Sequence, residues 1–365
     1  MSGAQVLPRS GEERPILITG GAGFIGSNLA DRLLRDGHRV RLYDALARSG
    51  VERNVEWLRA NHGDRVELVV GDIRDRGQVA AAAADVQAVF HFAAQVAVTT
   101  SMLDPRDDFE VNILGTLNVL EALRDRGDAA PLIFASTNKV YGDLADLDFA
   151  LDGDAYVPVD AGVRDHGIGE GRPLDFHTPY GVSKGAADQY VLDYARSFGV
   201  PTAVMRMSCI YGRGQMGTED QGWVAHFLIR ALEGKPITLY GDGHQVRDIL
   251  DVSDAVDAYL QAWRRIDEVA GRAFNLGGGP GNAVSLRRLL AHVSDIIGRE
   301  VDIAFSDWRA GDQRYFVADT RAAEAALGLG PKVPWRDGVA ALARWLAAER
   351  RLNMPVPAAE LQAAE

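Results

Sequence analysis

The chain has 365 residues, of which 47% are hydrophobic and 25% charged, a composition typical of a globular protein that buries a sizeable core in one or two domains. Its 51 acidic residues outnumber 39 basic ones, and the net charge of -12, with no local basic patch in the sequence, excludes nucleic acid and anionic membranes as expected partners. The single cysteine, Cys209, excludes an intramolecular disulfide and a cysteine-based zinc site, and it favours a reducing, cytoplasmic location.

Polar residues dominate both ends of the chain. Residues 1 to 14 lack the apolar stretch of a secretory signal, and no run of about 18 apolar residues follows that could span a membrane. We therefore expect flexible tails over 1–14 and 353–365, and a protein that neither enters nor crosses a membrane.

From Pro15 onward, short apolar runs alternate with amphipathic stretches of helical length. Continuous apolar strands separated by helices indicate a parallel sheet that is buried on both faces. The pattern therefore predicts an α/β fold with a doubly wound parallel sheet of the Rossmann type. The predicted strands are 16–19, 40–43, 66–70, 88–94, 132–136 and 202–207, and the predicted helices are 24–36, 52–61, 75–84, 105–126 and 179–198.

Two segments depart from this alternation. The acidic, glycine-containing stretch between Tyr141 and Thr178 is too long for an ordinary connection, and loops of that length are usually functional or disordered. After about residue 208 the alternation weakens, which predicts a smaller mixed α/β lobe. That lobe would contain strands at 237–240 and 301–305 and helices at 221–234, 285–298 and 337–351.

A glycine-rich turn follows the first predicted strand directly. Gly20, Gly23 and Gly26 recur at three-residue spacing, and a helix is predicted from Phe24. Glycines at these positions would let the backbone approach a pyrophosphate that lies at the positive end of the helix dipole. Taken alone, the pattern fits an ordinary strand-to-helix turn as well as it fits nucleotide binding.

An acidic residue ends the second predicted strand. Asp44 lies 18 residues beyond Gly26, where a carboxylate would accept hydrogen bonds from the ribose hydroxyls of a dinucleotide. Such a carboxylate would repel a 2′-phosphate, which favours NAD over NADP, although Arg48 nearby leaves NADP open. Considered in isolation, Asp44 is equally compatible with a turn residue.

The next two strands also end in residues that suit a cofactor. Asp72 and Ile73 follow the third strand, and the small residues Ala93 and Ala94 end the fourth. Ligands collect at the carboxyl ends of strands in open α/β sheets, where small side chains would let a cofactor pass. Each residue alone is compatible with core packing. Together they are suggestive because all of them lie at strand ends, in the order that a cofactor site would need.

The segment TPYGVSK, residues 178 to 184, contains one of only four lysines in the chain. Among the ten tyrosines, only Tyr180 has a lysine four positions further on. With Thr178 as N-cap and Pro179 as the first helical residue, Tyr180 and Lys184 would lie one turn apart on one helix face. An exposed tyrosine and lysine on a surface helix is the alternative for the pair considered alone.

From about Ile16 to Trp345, the sequence resembles the extended short-chain dehydrogenases/reductases, the NAD-dependent nucleotide-sugar epimerases and dehydratases. The resemblance implies bound NAD, a nucleotide-sugar substrate and no metal, with Thr137, Tyr180 and Lys184 as the catalytic group. The motifs that carry it are GGAGFIG (20–26), GDIRD (71–75), HFAAQ (91–95), VNILGTLNVLEA (111–122), FASTNKVYG (134–142), PYGVSK (179–184), GDGHQVRDILDVSDAV (241–256) and FNLGGG (274–279).

The same resemblance implies which residues bind the two ligands. For NAD they are Gly20, Gly23, Phe24, Ile25, Asp44, Arg48, Asp72, Ile73, Phe92, Ala93, Ala94, Gln95, Tyr180 and Lys184. For the nucleotide sugar they are Thr99, Asn138, His177, Ser208, Gln221, Arg247 and Arg314, of which the two arginines are candidates for gripping the diphosphate. We assign 15–207 plus about 244–277 to the NAD-binding domain, and about 208–243 plus 278–352 to the sugar-binding lobe.

The charges of the catalytic group suggest how it would act. We expect the Lys184 ammonium and the positive charge of oxidised nicotinamide to lower the pKa of Tyr180 towards the working range. Tyr180 would then take a proton from a sugar hydroxyl as the hydride leaves the carbon for NAD, and Thr137 would hydrogen-bond that oxygen.

The residues after Thr137 bear on the reaction. Family dehydratases carry an Asp-Glu pair there for eliminating water, whereas this chain has Asn138 and Lys139, which disfavours dehydration. Several segments further resemble the group that inverts C2 of a CDP-linked hexose of the paratose and tyvelose type. They are STNKVYGD (136–143), PLDFHTPYGVSKGAADQYVLDYARSFG (173–199), DQGWV (220–224) and QVRDIL (245–250).

Other outcomes stay open at this point. The chain departs from that group at Met207, at 212–216 and at Ala45, which leaves the sugar and the base undetermined. Epimerisation at C4 of a UDP- or TDP-sugar is one alternative, and a non-catalytic NAD-sensing protein is another. The resemblance also implies a homodimer that pairs the helices at 105–126 and 179–198 across a two-fold axis.

Overall fold

The computed structural model of the chain describes residues 14–128, 130–309, 311–352 and 354. The two expected tails lie outside the described residues, apart from Arg14 and Met354. The strands are β1 (Ile16–Thr19), β2 (Val40–Asp44), β3 (Val66–Val70), β4 (Ala88–His91), β5 (Leu132–Thr137), β6 (Phe149–Asp152), β7 (Ala155–Pro158), β8 (Thr202–Met207), β9 (Cys209–Tyr211), β10 (Ile237–Tyr240), β11 (Val246–Asp251), β12 (Arg272–Leu276), β13 (Ala283–Ser285), β14 (Ile303–Ser306) and β15 (Tyr315–Phe316).

Helices separate most of these strands, and within the described ranges none is both long and apolar enough to cross a membrane. They are α1 (Phe24–Arg35), α2 (Glu52–His62), α3 (Arg76–Ala83), α4 (Val98–Leu103), α5 (Pro105–Phe109), α6 (Gly115–Arg126), α7 (Ala161–His166), α8 (Thr178–Phe198), α9 (Trp223–Leu232), α10 (Val252–Arg264), α11 (Ile266–Val269), α12 (Leu286–Ile297), α13 (Arg321–Leu327) and α14 (Trp335–Arg350). Short 3₁₀ turns lie at Gly63–Arg65, Asn138–Tyr141 and Pro280–Asn282.

The central element is a seven-stranded sheet in the order β12-β8-β5-β4-β1-β2-β3, in which every pairing is parallel. The prediction of a doubly wound parallel sheet is thus confirmed, and all six predicted strands belong to it. The fourth strand ends at His91 and not at Ala94. The reason is that the Ala93 amide donates to the side-chain hydroxyl of Thr19 in β1 (3.2 Å) and not to a backbone carbonyl.

Helices cover both faces of this sheet because its strands are apolar on both sides. Ile16 and Ile18 of β1 face a core shared with α1 and α10. Leu17, between them, points to the opposite face and packs in a second core with α3, α6 and α8. The alternation of side chains along one short strand therefore feeds two hydrophobic layers.

The predicted helix over 105–126 is interrupted. A π-helical turn, Glu110–Leu114, lies between α5 and α6 and brings the buried side chain of Asn112 against the loop after β4. Turns of this kind are rare and frequently occur at functional sites. The sequence analysis predicted one continuous helix here and did not foresee the interruption.

A smaller lobe follows β8, which is the sixth of the predicted strands, as expected from the sequence. It contains the sheet formed by β9, β11, β13 and β15, the pair β10–β14, and a core contributed largely by α9, α12 and α14. Strand β12 leaves this lobe and pairs with β8 at the edge of the central sheet.

The long stretch between Tyr141 and Thr178 is not an irregular loop. It contains the antiparallel hairpin β6–β7 and helix α7. The hairpin attaches to the smaller lobe through the Tyr156 amide, which donates to the His244 carbonyl (3.0 Å), and Ile168 pairs with Ala318. The expectation of a functional or disordered loop overlooked the short alternating runs that form the hairpin.

Candidate active site

A cavity of about 690 Å³ lies at the carboxyl ends of the central strands. This is the edge at which ligands bind in open α/β sheets. The three residues predicted to be catalytic, Thr137, Tyr180 and Lys184, all line it. So do all the residues predicted to contact NAD: Gly20, Gly23, Phe24, Ile25, Asp44, Arg48, Asp72, Ile73, Phe92, Ala93, Ala94, Gln95, Tyr180 and Lys184.

The turn between β1 and α1 is built around close backbone contacts. Gly20 has a φ of +66°, and a Cβ at this residue would lie 2.7 Å from the Ala93 nitrogen. A Cβ at Gly26 would lie 2.5 Å from the Gly20 carbonyl oxygen. Within the described residues, no side chain caps α1 and no acidic residue occupies its first turn. The amides at this end of the helix therefore suit an anion such as pyrophosphate.

Asp44 ties the glycine turn to the end of β2. Its two carboxylate oxygens accept hydrogen bonds from the amides of Ala22 (3.0 Å) and Leu46 (2.9 Å). Burial raises the pKa of Asp44, whereas the two amides and Arg48 lower it. A carboxylate oxygen that accepts one bond keeps a free lone pair. The arrangement therefore fits the ribose hydroxyls of a dinucleotide.

Arg48 is exposed, and its guanidinium lies near two acidic groups. Desolvation lowers the pKa of Arg48, while the charges of Tyr180 and Asp44 raise it. The guanidinium therefore acts on the phenol as well as on the carboxylate at the end of β2. This charge interaction with Tyr180 was not foreseen in the sequence, where Arg48 was expected to contact NAD and also left NADP open.

Thr137 and Tyr180 meet across the cavity wall. Thr137 ends β5, and its hydroxyl lies close enough to the Tyr180 phenol to lower the pKa of that group. Helix α8 begins at Thr178, one residue before the predicted start. Thr178 has a φ of +61°, and its hydroxyl accepts a bond from the Gly181 amide (3.4 Å), as an N-cap residue does.

The expected lowering of the Tyr180 pKa is wrong for the chain itself. Burial raises the pKa of Tyr180, and the Asp108 carboxylate raises it further. The Thr137 hydroxyl and the Arg48 charge oppose these effects without overcoming them. Desolvation therefore dominates the phenol, because the charged form loses its water on burial.

Lys184 is also strongly desolvated. Its side chain is 4% exposed, and its Nζ lies 4.2 Å from the centre of the Phe134 ring. Burial lowers the pKa of Lys184 to about 7, although Asp188 and Asp108 both favour the charged form. At neutral pH this lysine is thus poised between its two protonation states.

A polar network that the sequence did not reveal supports the start of α8. The side chain of Asn112 donates to Ser183 Oγ (2.9 Å) and to the Gln95 carbonyl (3.0 Å), and its oxygen accepts from the Gln95 amide (2.9 Å). Asn112 stands in the VNILGT segment, so the motif was visible but no role had been drawn from it. Only the π-helical turn shows how its side chain reaches α8.

A buried ion pair holds the middle of α8 to the sheet. Asp188 accepts two hydrogen bonds of 2.9 Å from Arg206 in β8, and it also accepts a bond from Ser136 (2.7 Å). Arg206 donates in turn to the Tyr141 hydroxyl (3.1 Å). The pairing fixes the height of α8 relative to the strand that carries Thr137.

His91 lies beneath the catalytic group and is uncharged. Its ring nitrogens are hydrogen-bonded to the hydroxyls of Thr19 (2.6 Å) and Thr116 (3.0 Å). Burial lowers the pKa of His91 to about 3, and the charge of Lys184 acts in the same direction. It therefore serves as a neutral link between β1, β4 and α6.

The residues predicted to bind the sugar are dispersed. Ser208 and Gln221 line the cavity, whereas Thr99 is exposed on α4 and its neighbour Thr100 lines the cavity instead. Arg314 lies over the ring of Tyr156, with 5.6 Å between its guanidinium carbon and the ring centre.

Arg247 is buried and already paired in this structure. Its Nη2 donates to the Asp312 carboxylate (2.6 Å) and to the Gln313 carbonyl (2.6 Å). Asn138 donates to the side chain of the same Gln313 (3.3 Å). Both predicted residues thus contact the segment that follows Gly311, and neither lines the cavity.

His177, the remaining predicted sugar ligand, lies on the surface with Asp143 and Asp175. One ligand atom from each of the three residues lies within 4.8 Å of the others. Exposed groups of this kind often occur without an ion, so the expectation that the protein needs no metal stays a prediction.

Lys139 points away from the reacting group and towards the smaller lobe. Its Nζ donates to the Gly311 carbonyl (3.0 Å) and lies 4.0 Å from Asp312. Burial lowers the pKa of Lys139 to about 8, and Asp312 opposes the shift. Cys209 lines the cavity and accepts a hydrogen bond from the indole of Trp223 (3.2 Å).

The chain matches known proteins in sequence and in fold. Residues 16–277 match the family model described as the NAD dependent epimerase/dehydratase family. The chain is 43% identical over 339 residues to the CDP-paratose 2-epimerase of Salmonella typhi, covering 90% of this chain and 98% of that protein.

Two solved structures show the same fold and carry ligands. The UDP-glucose 4-epimerase of Thermotoga maritima with UDP-glucose has a TM-score of 0.78 at 28% identity, over 92% of this chain and 99% of that one. The UDP-glucose 4-epimerase of Thermus thermophilus in complex with NAD has a TM-score of 0.76 at 32% identity, over 91% and 98% respectively.

Proposed function

The chain belongs to the NAD dependent epimerase/dehydratase family and is an NAD-dependent enzyme, and from that premise we propose that it inverts C2 of a CDP-linked hexose. The observation that carries the proposal is that Thr137, Tyr180 and Lys184 line one cavity, while Thr137 is followed in the sequence by Asn138 and Lys139 and not by carboxylates. The 43% identity to a CDP-paratose 2-epimerase supports the choice of carbon and nucleotide.

The side chains of the cavity have separate tasks in such a reaction. Bound NAD would supply reversible hydride transfer with the sugar carbon, so no external oxidant would be needed. Tyr180 takes the proton of the C2 hydroxyl and later returns it. Thr137 hydrogen-bonds the same oxygen and holds it beside the phenol. Lys184 and Arg48 supply positive charge near that oxygen, where negative charge develops.

The residues after Thr137 support epimerisation over dehydration. Elimination of water needs an acid and a base beside the sugar. Neither Asn138 nor Lys139 is a carboxylate. Their side chains contact Gln313 and Gly311 in the smaller lobe, so neither is free to face the sugar. We therefore assign these two residues to holding the lobe against the catalytic strand.

The NAD site follows from the turn after β1. We assign the pyrophosphate to the turn of Gly20, Gly23 and Gly26, and the adenosine ribose to Asp44. A 2′-phosphate would meet the Asp44 carboxylate, so NADP stays the less favoured cofactor. In the same proposal, residues 15–207 plus about 244–277 bind NAD, and about 208–243 plus 278–352 bind the nucleotide sugar.

The sugar side of the site is proposed from fewer contacts. Ser208 and Gln221 line the cavity and are retained as substrate ligands. Arg247 would have to exchange Asp312 for the substrate diphosphate, and Arg314 would have to leave the ring of Tyr156. Both arginines therefore stay predictions, as do Thr99, Asn138 and His177.

We further propose a homodimer that pairs α8 and the helix formed by α5 and α6 across a two-fold axis. Large apolar side chains are exposed along these helices, and patches of this kind mark association surfaces. Analytical ultracentrifugation should find a dimer, and Phe109→Asp together with Tyr190→Asp should convert it to a monomer. The apolar set on these helices is Phe109, Leu114, Val182, Tyr190 and Phe198, and the exposed Met102 and Leu103 lie next to it in sequence at the end of α4. The cytoplasmic location stays a prediction.

The function is tested by incubating the purified enzyme with CDP-paratose or CDP-glucose in deuterated water. Carbon and proton NMR should show inversion at C2 with protium retained there, because the hydride returns without exchange. Tyr180→Phe should keep NAD and lose turnover. Deuterium at C2 would contradict the hydride mechanism, and no inversion at C2 of any nucleotide sugar would contradict the proposal.

Two other results would point elsewhere. Inversion at C4 of a UDP- or TDP-sugar would support the alternative that the same side chains act on a differently seated ring. Binding of NAD without turnover of any nucleotide sugar would support a non-catalytic NAD-sensing protein.

A further inference from the structure

A buried carboxylate lies behind the catalytic helix and has no part in the reaction described so far. Asp108 of α5 is 1% exposed, and one of its oxygens accepts a hydrogen bond from Asn112 (3.2 Å). Its other oxygen, Oδ2, is buried without a hydrogen-bond partner among the described residues. An unpaired buried carboxylate oxygen costs stability, so its presence needs an explanation.

The surroundings of this carboxylate connect it to the catalytic group. Ser183, next in sequence to Lys184, accepts a hydrogen bond from Asn112 (2.9 Å), the same side chain that donates to Asp108, and it lies close enough to lower the pKa of that carboxylate. Burial raises the pKa of Asp108, whereas Ser183 and the charge of Lys184 lower it. The influence is mutual, because Asp108 in turn favours the charged form of Lys184.

The π-helical turn after α5 lets these groups meet. It directs Asn112 towards both Ser183 and Asp108, which fixes the carboxylate against α8. We propose that Asp108 is a positioning residue whose buried carboxylate is the counter-ion of the Lys184 ammonium beside Tyr180. The inference rests on the proposed function, since it assigns Asp108 a task within the reaction of Tyr180 and Lys184.

Other charges reach the same group and must be weighed with Asp108. Asp188 favours the charged form of Lys184 more strongly than Asp108 does, but it is already paired with Arg206. Asp108 forms no ion pair with Lys184 within 4.0 Å, and its Oδ2 has no hydrogen-bond partner among the described residues, so it is the carboxylate with uncommitted charge near the ammonium. His91 is neutral at working pH and adds no charge. The titratable and charged groups that face this cluster are Asp107 on α5, Tyr180, Lys184 and Asp188 on α8, His91 on β4 and Arg48 after β2.

Removal of the Asp108 charge should move two titrations in the same direction. The carboxylate favours protonated Lys184 and disfavours ionised Tyr180, so its loss lowers the pKa of both groups. A unit charge at close range shifts a pKa by roughly one unit or more. Asp108→Asn should therefore move both limbs of the pH–rate profile to lower pH by about one unit.

The matched control is Asp125→Asn, which removes the same charge from the exposed face of α6. It should leave both limbs in place. The second readout is competitive acetylation of the NAD-bound enzyme across pH, quantified by mass spectrometry. The chain has only four lysines, and the exposed Lys235 serves as internal reference. The labelling midpoint of Lys184 should fall by about one unit in Asp108→Asn.

The outcomes separate this inference from the proposed function. A shifted labelling midpoint without epimerase activity in the wild type would contradict the function and support the counter-ion. An unchanged midpoint, or a loss of rate at every pH without displaced limbs, would overturn the counter-ion. If Asp108→Asn does not fold, Asp108→Ser removes the same charge from a smaller side chain and should give the same shifts.

Discussion

Replacement of Lys184 by methionine should stabilise the fold while abolishing turnover. The pKa of Lys184 falls from 10.5 to about 7 on folding because the side chain is buried. At 1.36 kcal/mol per unit, this shift amounts to about 4 to 5 kcal/mol of stability lost at pH 7. Methionine has a similar length and no charge to desolvate. Since Asp108 loses its counter-ion in the variant, we expect a net gain of about 2 to 4 kcal/mol.

The sign of the pH dependence gives the sharper test. Between pH 7 and 10.5 the unfolded chain binds the Lys184 proton more tightly than the folded chain, so wild-type stability rises with pH in this window. The advantage of Lys184→Met should therefore be largest below pH 7 and should shrink towards pH 10. Urea denaturation of the NAD-free proteins at pH 6.5, 8 and 9.5 measures it, with Lys235→Met on the surface as control. A variant that is less stable at pH 6.5, or a difference that does not change with pH, would refute the reasoning.

Three further substitutions test separate contacts. Thr137→Val should lower kcat by about 100-fold with NAD affinity unchanged. It should also move the limb of the pH–rate profile that Tyr180 controls to higher pH, because Thr137 lowers the pKa of that phenol. A pH–rate profile that keeps its position would contradict this influence of Thr137 on Tyr180. Asp188→Asn should cost about 3 to 5 kcal/mol in urea denaturation because it leaves the buried Arg206 without its partner. Asp193→Asn, which removes an exposed ion pair on the same helix, should cost much less, and equal costs would argue against a buried ion pair. Gly26→Ala should destabilise the fold by about 1 to 3 kcal/mol and weaken NAD binding in calorimetry, since its Cβ would lie 2.5 Å from the Gly20 carbonyl oxygen. Gly171→Ala is the control and should be neutral, because the space around Gly171 is open. Similar results for the two variants would contradict the packing argument.

The fold could be predicted from the sequence because its elements are local. Each predicted strand is a run of four to seven apolar residues, and a strand of this kind can only be stable inside a sheet that is covered on both faces. The same logic located the glycine turn and Asp44, since both lie at strand ends whose place in a parallel sheet is fixed. The hairpin β6–β7 escaped prediction because its runs are short, exposed and embedded in acidic residues.

The parts of the site that sequence could not supply depend on distant contacts. Asp108 and Ser183 are 75 positions apart, and only the packing of α5 against α8 brings them together. Arg247 lies in a motif that suggested binding of the substrate diphosphate. In the structure it pairs with Asp312, which lies 65 residues away in the sequence. Periodicity can place a residue on a face, whereas such a pairing depends on how two complete elements pack.

Burial accounts for the one clear error about the catalytic group. A lysine one turn from a tyrosine suggested an ammonium that stabilises a phenolate, yet folding favours the neutral form of both side chains. A charge that is itself desolvated cannot be counted at its full value in water. Arg48, Thr137 and the state of Asp108 therefore decide how readily Tyr180 ionises. Arg48→Met should raise the pKa of Tyr180 and thereby lower kcat/KM below pH 8, and a variant with an unaltered pH–rate profile would show that this guanidinium does not act on the phenol.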